Sequence, residues 1–96
     1  MSFTKHARVQ AQQRFGVFMN RTLAAHLIAQ VESGDAVPDG QDHKGNGRWF
    51  CNLPDGRMVC IVLDVGTGEI VTIMTRNPRA QAAEEIRRRR RKSIPT

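Results

Sequence analysis

His6 stands in a stretch that also holds Lys5, Arg8, Gln10 and Arg14. An imidazole that titrates near neutrality can take a proton from a ribose hydroxyl, while neighbouring guanidinium groups hold the phosphate and offset charge in the transition state. In that scheme His6 is the general base, Arg14 and Arg57 are the phosphate-stabilising groups, and no metal or cofactor is required. The alternative for a lone histidine is a place at the edge of a helix–sheet contact, donating to a nearby carbonyl. His26 reads as structural on the flank of a helix, and His43, between Asp42 and Lys44, as solvated.

Arg48, Arg57 and Arg76 begin or end apolar runs, where planar, permanently charged donors suit phosphate recognition but equally serve as strand-edge charges that discourage aggregation. Thr72 and Thr75 can add hydroxyl donors. Trp49 and Phe50 must face opposite sides of one strand, so one belongs to the core. The other is a base-stacking platform beside Arg48 or a partner contact. Cys51 and Cys60, set in apolar runs, read as inert core thiols.

The charge is unevenly spread. Residues 1–75 carry seven Lys/Arg against seven Asp/Glu, while residues 76–96 carry eight against two, so the whole net charge of +6 belongs to the end of the chain. Arg87, Arg88, Arg89, Arg90, Arg91 and Lys92 are consecutive, which points to phosphate binding with counterion release or, otherwise, to a solvated tail or a dock for an acidic protein. Arg8, Arg48 and Arg76 join them as candidate nucleic-acid contacts. Glu84 to Arg88 and Glu85 to Arg89 have the i to i+4 spacing that supports a helix.

These groups need elements to position them. Phe3, Ala7, Ala11 and Phe15 recur every four residues, a thin helical stripe ended by Gly16. Asn20 caps a second helix whose core face is Leu23, Ala24, Leu27, Ile28 and Val31, with Gly34 as its stop. Residues 35–47 lack apolar periodicity and read as a long polar loop. Strands are expected at 48–53, 58–63 and 69–76, the middle one apolar on both faces and therefore central. Asn77 and Pro78 then open a last helix as cap and first-turn proline.

The expected fold is α+β: two N-terminal helices packed on one face of a three-stranded antiparallel meander, the other face partly open, and a basic C-terminal helix. Residues 1–78 form the domain, and 79–96 are the basic helix and a frayed tail. The turn Pro54-Asp55-Gly56 sets the register. As a three-residue loop with a bulge at Gly56 it opposes Leu53 to Arg57 and Phe50 to Cys60, whereas a two-residue loop would oppose Cys51 to Cys60, close enough for oxidation to join them.

Composition narrows the function classes. The longest apolar run, residues 58–63, is far short of the roughly 20 residues that span a bilayer, so no membrane role is expected. The opening residues lack the apolar stretch of a signal peptide, and two cysteines without a Cys-x-x-Cys suggest neither a disulfide framework nor a zinc site, so a cytoplasmic protein with reduced thiols is expected. Gly66-Thr67-Gly68 lies between strands rather than between strand and helix, the wrong context for a nucleotide loop.

The order of elements, two helices followed by an antiparallel meander, resembles the RelE/ParE-like toxin superfamily, the small ribonuclease fold also seen in barnase-like and colicin-type toxins. Phe3-Thr4-Lys5-His6-Ala7, then Arg14 and Gly16, and the closing strand with Thr72 and Thr75 also look like a related group of small domains with a His-Ala opening. The similarity covers residues 3–76. Gln10 stands where such openings often carry an arginine, and the chain has no Tyr and no His after His43. The resemblance implies a small RNA-directed, toxin-like protein, a metal-independent ribonuclease in its catalytic form, with RNA or the ribosome as target and an acidic antitoxin as protein partner. The alternative is a non-catalytic nucleic-acid- or protein-binding module, an inhibitor or regulator of phage or plasmid type.

Overall fold

The computed structural model describes residues 2–93, the side chains from 90 onward excepted. These residues form an α+β fold of three helices and one four-stranded antiparallel sheet with strands in chain order. Helix α1 (Lys5–Phe15) is capped by Thr4, whose Oγ1 accepts the Ala7 N–H at 3.1 Å, and closes at Gly16. Its stripe is as thin as expected, with only Ala7 and Ala11 fully buried. Helix α2 (Arg21–Ser33) begins where the Asn20 side chain accepts the Leu23 N–H at 2.9 Å, and it buries Leu23, Ala24 and Leu27.

The polar segment 35–47 is not all loop. It contains a strand, β1 (Val37–Gln41), so the sheet has four strands rather than three. A run of Val-Pro-Asp-Gly-Gln has little strand propensity, but Pro38 is tolerated because β1 is an edge strand that needs no second set of ladder bonds. Gly40, with φ +77°, takes up the register shift between Pro38 and Gln41. Tertiary burial compensates for weak propensity here, since Val37 and Asp39 are both buried.

Strands β2 (Gly47–Asn52) and β3 (Met58–Leu63) pair with Phe50 opposite Cys60 and Cys51 opposite Val59, the three-residue-loop register. The Leu53 N–H donates to the Arg57 carbonyl at 2.8 Å, and Gly56 accepts the left-handed backbone at φ +93°. Cys51 and Cys60 are thus free thiols on opposite faces. Strand β4 (Ile70–Met74) completes the sheet. Part of its outer edge is occupied by the N-terminal segment: Thr4 N–H donates to the Ile70 carbonyl at 3.0 Å and Thr4 Oγ1 to the Val71 carbonyl at 3.1 Å.

Alternation divides the sheet into two packed faces. One carries Cys51, Leu53, Val59, Ile61, Ile70 and Ile73 against α1 and α2, with Met19 fully buried among them. The other carries Val37, Phe50 and Cys60, with Met58 and Met74 at its margin, and it is covered by Ala82 and Ile86 of α3 (Ala80–Ser93). The face expected to stay partly open therefore holds the basic helix, because Ala82 and Ile86, four apart, give its first half an apolar side before the arginines begin. That helix starts later than Asn77-Pro78 suggests: the Ala83 N–H bonds to the Arg79 carbonyl at 2.8 Å, which makes Arg79 the flanking residue. The tail 94–96 lies outside the described residues.

Candidate nucleic-acid interface

Two neighbouring groups of arginines occupy the α3 side of the sheet. The first surrounds Asp39, which points onto the same face as Val37 and is only 3% exposed. Its Oδ1 accepts the backbone N–H of Arg79 at 3.1 Å. Its Oδ2 stands 3.2 Å from Arg76 Nε, yet the Arg76 N–H is not aimed at it, so this is an ion pair without a directed hydrogen bond. Arg48, on β2 two residues before Phe50, donates through Nε to the Asp39 carbonyl at 3.2 Å and leaves its buried Nη2 without an acceptor among the described residues.

Gly40 brings the third guanidinium in. A Cβ at this position would lie 3.1 Å from Arg79 Nη1 and 3.6 Å from Arg48 Nη2, so both groups reach one point above a bare backbone. Three guanidiniums thus gather around Asp39 and Gly40, and only that of Arg76 faces the carboxylate, which leaves an excess of two positive charges. Cys60 lies beneath them: burial pushes its thiol up to about 11, Arg76 and Arg48 pull it down, and Asp39 pushes it up.

The second group lies further along α3. Arg87 and Arg88 project into solvent with side chains 67% and 59% exposed, and both pair with acids of their own helix, Arg87 with Glu84 at 3.8 Å and Arg88 with Glu85 at 2.9 Å. The Glu85–Arg89 pair has the expected i to i+4 spacing, at 3.0 Å, but Arg88 turns to Glu85 rather than Glu84. Arg89 also donates to the Asp35 carbonyl, which ties α3 to the chain just before β1. Exposed pairs of this kind contribute only about 0.5 kcal/mol each, so phosphate can displace the glutamates at little cost. The side chains of Arg90, Arg91 and Lys92 lie outside the described residues.

No family model, curated protein or solved structure matches the chain.

The residues picked for chemistry are placed differently. His6 and Arg8 are exposed on α1, on the opposite side of the sheet from α3. Arg14, eight positions after His6 and about 12 Å further along the helix axis, reaches the Ile73 carbonyl at 3.5 Å. Arg57 is held in the β2–β3 turn by Asp55, with Nε 2.8 Å from Oδ2. Among the described residues no hydrogen bond or ion pair joins His6, Arg14 and Arg57, whereas Arg48 and Arg76 both reach Asp39.

The other side chains with chemical potential are structural. His26 Nε2 lies 3.0 Å from the Asn52 carbonyl, where the Gln30 side chain also bonds, and His43 is exposed in the β1–β2 turn. Phe50 is buried under α3 and Trp49 packs on the first core, so neither is a free stacking platform. The exposed aromatic is Phe18, 66% exposed between α1 and α2. Among the described residues no cluster of His, Cys, Asp and Glu is arranged to hold a metal, and no helix is long and apolar enough to cross a membrane.

Sequence reasoning missed Asp39 and Arg79. Asp39 lay in an apparent loop and Arg79 outside the arginine run. The available signal was the Val37-x-Asp39 alternation, which puts the carboxylate on whichever face buries the valine.

Proposed function

We propose that this chain is a small RNA-directed binding module, a cytoplasmic regulator or inhibitor that holds the phosphate backbone through its third helix. The observation that carries this reading is the docking of α3 by Ala82 and Ile86, which fixes the outward direction of Arg87 and Arg88 beside the Arg48–Arg76–Arg79 group. A helix anchored by its apolar half pays less ordering entropy on binding than a free basic tail, so its arginines contribute more of their contact energy. Phosphate contacts of this type release counterions and give affinity without base specificity.

The experiment is fluorescence anisotropy of RNA and of DNA of the same sequence over a salt series in EDTA, with the wild-type protein and Arg87→Gln/Arg88→Gln. The double variant should bind more weakly at every salt concentration and show a shallower log K against log salt plot by about 1.4 to 1.8, the two lost phosphate contacts. Unchanged affinity and slope would remove α3 as the grip.

A second reading draws on the exposure of His6 and Arg8 on α1. In it the chain is a RelE/ParE-like ribonuclease with His6 as general base and Arg14 and Arg57 stabilising the phosphate on a bound RNA. Intact RNA after long incubation with binding-saturating protein would dismiss it. A salt-insensitive, stoichiometric complex with an acidic protein, in place of RNA binding, would instead indicate the antitoxin-like partner.

A further inference from the structure

The three guanidiniums at Asp39 exceed what the fold needs. One carboxylate neutralises one of them, Arg76, whose Nε stands 3.2 Å from the equally unbonded Asp39 Oδ2, and the buried Arg48 Nη2 is left without a hydrogen-bond acceptor among the described residues. Buried donors are almost always satisfied, so one left over beside two further guanidiniums marks a place where an acceptor belongs. Like charges converging over Gly40 would be costly unless an anion bridges them. The Arg79 guanidinium is exposed and makes no side-chain bond among the described residues, so it can swing away from Gly40 and admit that anion.

The start of α3 adds to the same spot. Arg79 flanks the helix, its first turn contains no acid, and the N–H groups of Ala80, Gln81 and Ala82 have no acceptor among the described residues. These amides bring the positive end of a 14-residue helix to the guanidinium cluster. The ligand that fits is small, carries several acceptor oxygens and has two negative charges, matching the excess of two on the cluster. A phosphate monoester meets this description, being close to a dianion at neutral pH, whereas an internal phosphodiester carries one charge and has a chain leaving on both sides.

We infer that the Arg48–Arg76–Arg79 cluster, with the start of α3, seats the terminal phosphate of a nucleic-acid strand, so that the protein grips strand ends in preference to internal positions. This rests on the RNA-binding reading above. Arg87 and Arg88, eight and nine positions after Arg79 and so more than two turns further along α3, then follow the backbone inward from that end.

The test uses oligoribonucleotides of one sequence ending in hydroxyls, in a 5′-phosphate or in a 3′-phosphate, together with inorganic phosphate followed at the Arg76 Nε–H resonance by NMR. One phosphorylated end should bind about tenfold tighter than the hydroxyl form. Arg79→Gln, which keeps the backbone N–H that Asp39 accepts and therefore the fold, should abolish that preference, so that phosphorylated and hydroxyl oligonucleotides bind it equally. Arg87→Gln/Arg88→Gln should lower all affinities and keep the preference. Inorganic phosphate should shift the Arg76 resonance in the wild type and much less in Arg79→Gln.

Equal binding of all three oligonucleotides with an unmoved Arg76 resonance would overturn the seat while leaving RNA binding through α3 intact. A phosphate-dependent Arg76 shift without any RNA binding would overturn the strand-end assignment and the RNA reading together, and would leave only an anion site.

Discussion

Asp39 on β1 accepts the backbone N–H of Arg79 at 3.1 Å across 40 positions of sequence, and so the start of α3 is capped by a strand rather than by its own helix. The same carboxylate faces Arg76 at 3.2 Å. Replacing it leaves three cations with no internal counter-charge and an uncapped helix. Asp39→Ala is expected to lose about 3 kcal/mol of stability, measured by urea denaturation, with loosening concentrated in α3. A variant as stable as the wild type would show that the cap is dispensable.

Gly40 has φ +77° and sits against Arg79 Nη1. Gly40→Ala must therefore strain the backbone and push the guanidinium away, at a cost of about 1–2 kcal/mol. Thermal unfolding reads the loss. An unchanged midpoint would mean that β1 relaxes without penalty.

The thiols predict an alkaline limit. Burial raises Cys51 to about 12 and Cys60 to about 11, from an ordinary 9.0. Both acids hold their protons longer in the fold than in the unfolded chain. Their stabilising contribution is therefore whole below pH 9 and is lost as pH rises from there toward 11 and 12. The urea midpoint should fall over that window, and fall less in Cys51→Ala/Cys60→Ala. At pH 8 iodoacetamide should modify neither thiol until urea unfolds the chain; rapid alkylation of the native protein would contradict the burial.

Docking of α3 depends on a small contact. Ala82 is almost fully buried and packs with Ile86 on Val37, Phe50 and Cys60. The contact has no room for a larger side chain, so the extra carbons of Ala82→Leu should cost about 1–3 kcal/mol or detach the helix. Exposure of the Phe50 face would appear as dye binding by ANS while the α1–α2 core persists. Retention of the wild-type amide spectrum around Phe50 would refute this docking energetics.

His6 is exposed and makes no contact the fold depends on among the described residues. His6→Ala should leave stability within about 0.5 kcal/mol and RNA affinity unaltered. Loss of an RNA-cleaving activity in this folded variant would move the ribonuclease reading ahead of the binding module.

Local chemistry made much of the fold legible. Gly16, Asn20 and Gly34 bound their helices because caps act within a few residues. Pro54-Asp55-Gly56 determined the β2–β3 register, and with it the separation of Cys51 from Cys60, because a turn dictates which residues meet beside it. Strand β1 was not legible: Pro38 and Gly40 oppose a strand locally, and only pairing with β2 and burial of Val37 and Asp39 outweigh them.

The site divides along the same line. The arginine run of α3 and its polyanion character belong to composition, which needs no fold to be read. Which arginines face outward, which one ties the helix to Asp35, and that Arg48, Arg76 and Arg79 meet at Asp39 were decided by tertiary structure. The separation of His6, Arg14 and Arg57 was decided there too. Sequence specifies the charges and the local bends, but a site is a convergence of side chains from distant segments, and only burial of the two sheet faces determines which segments meet.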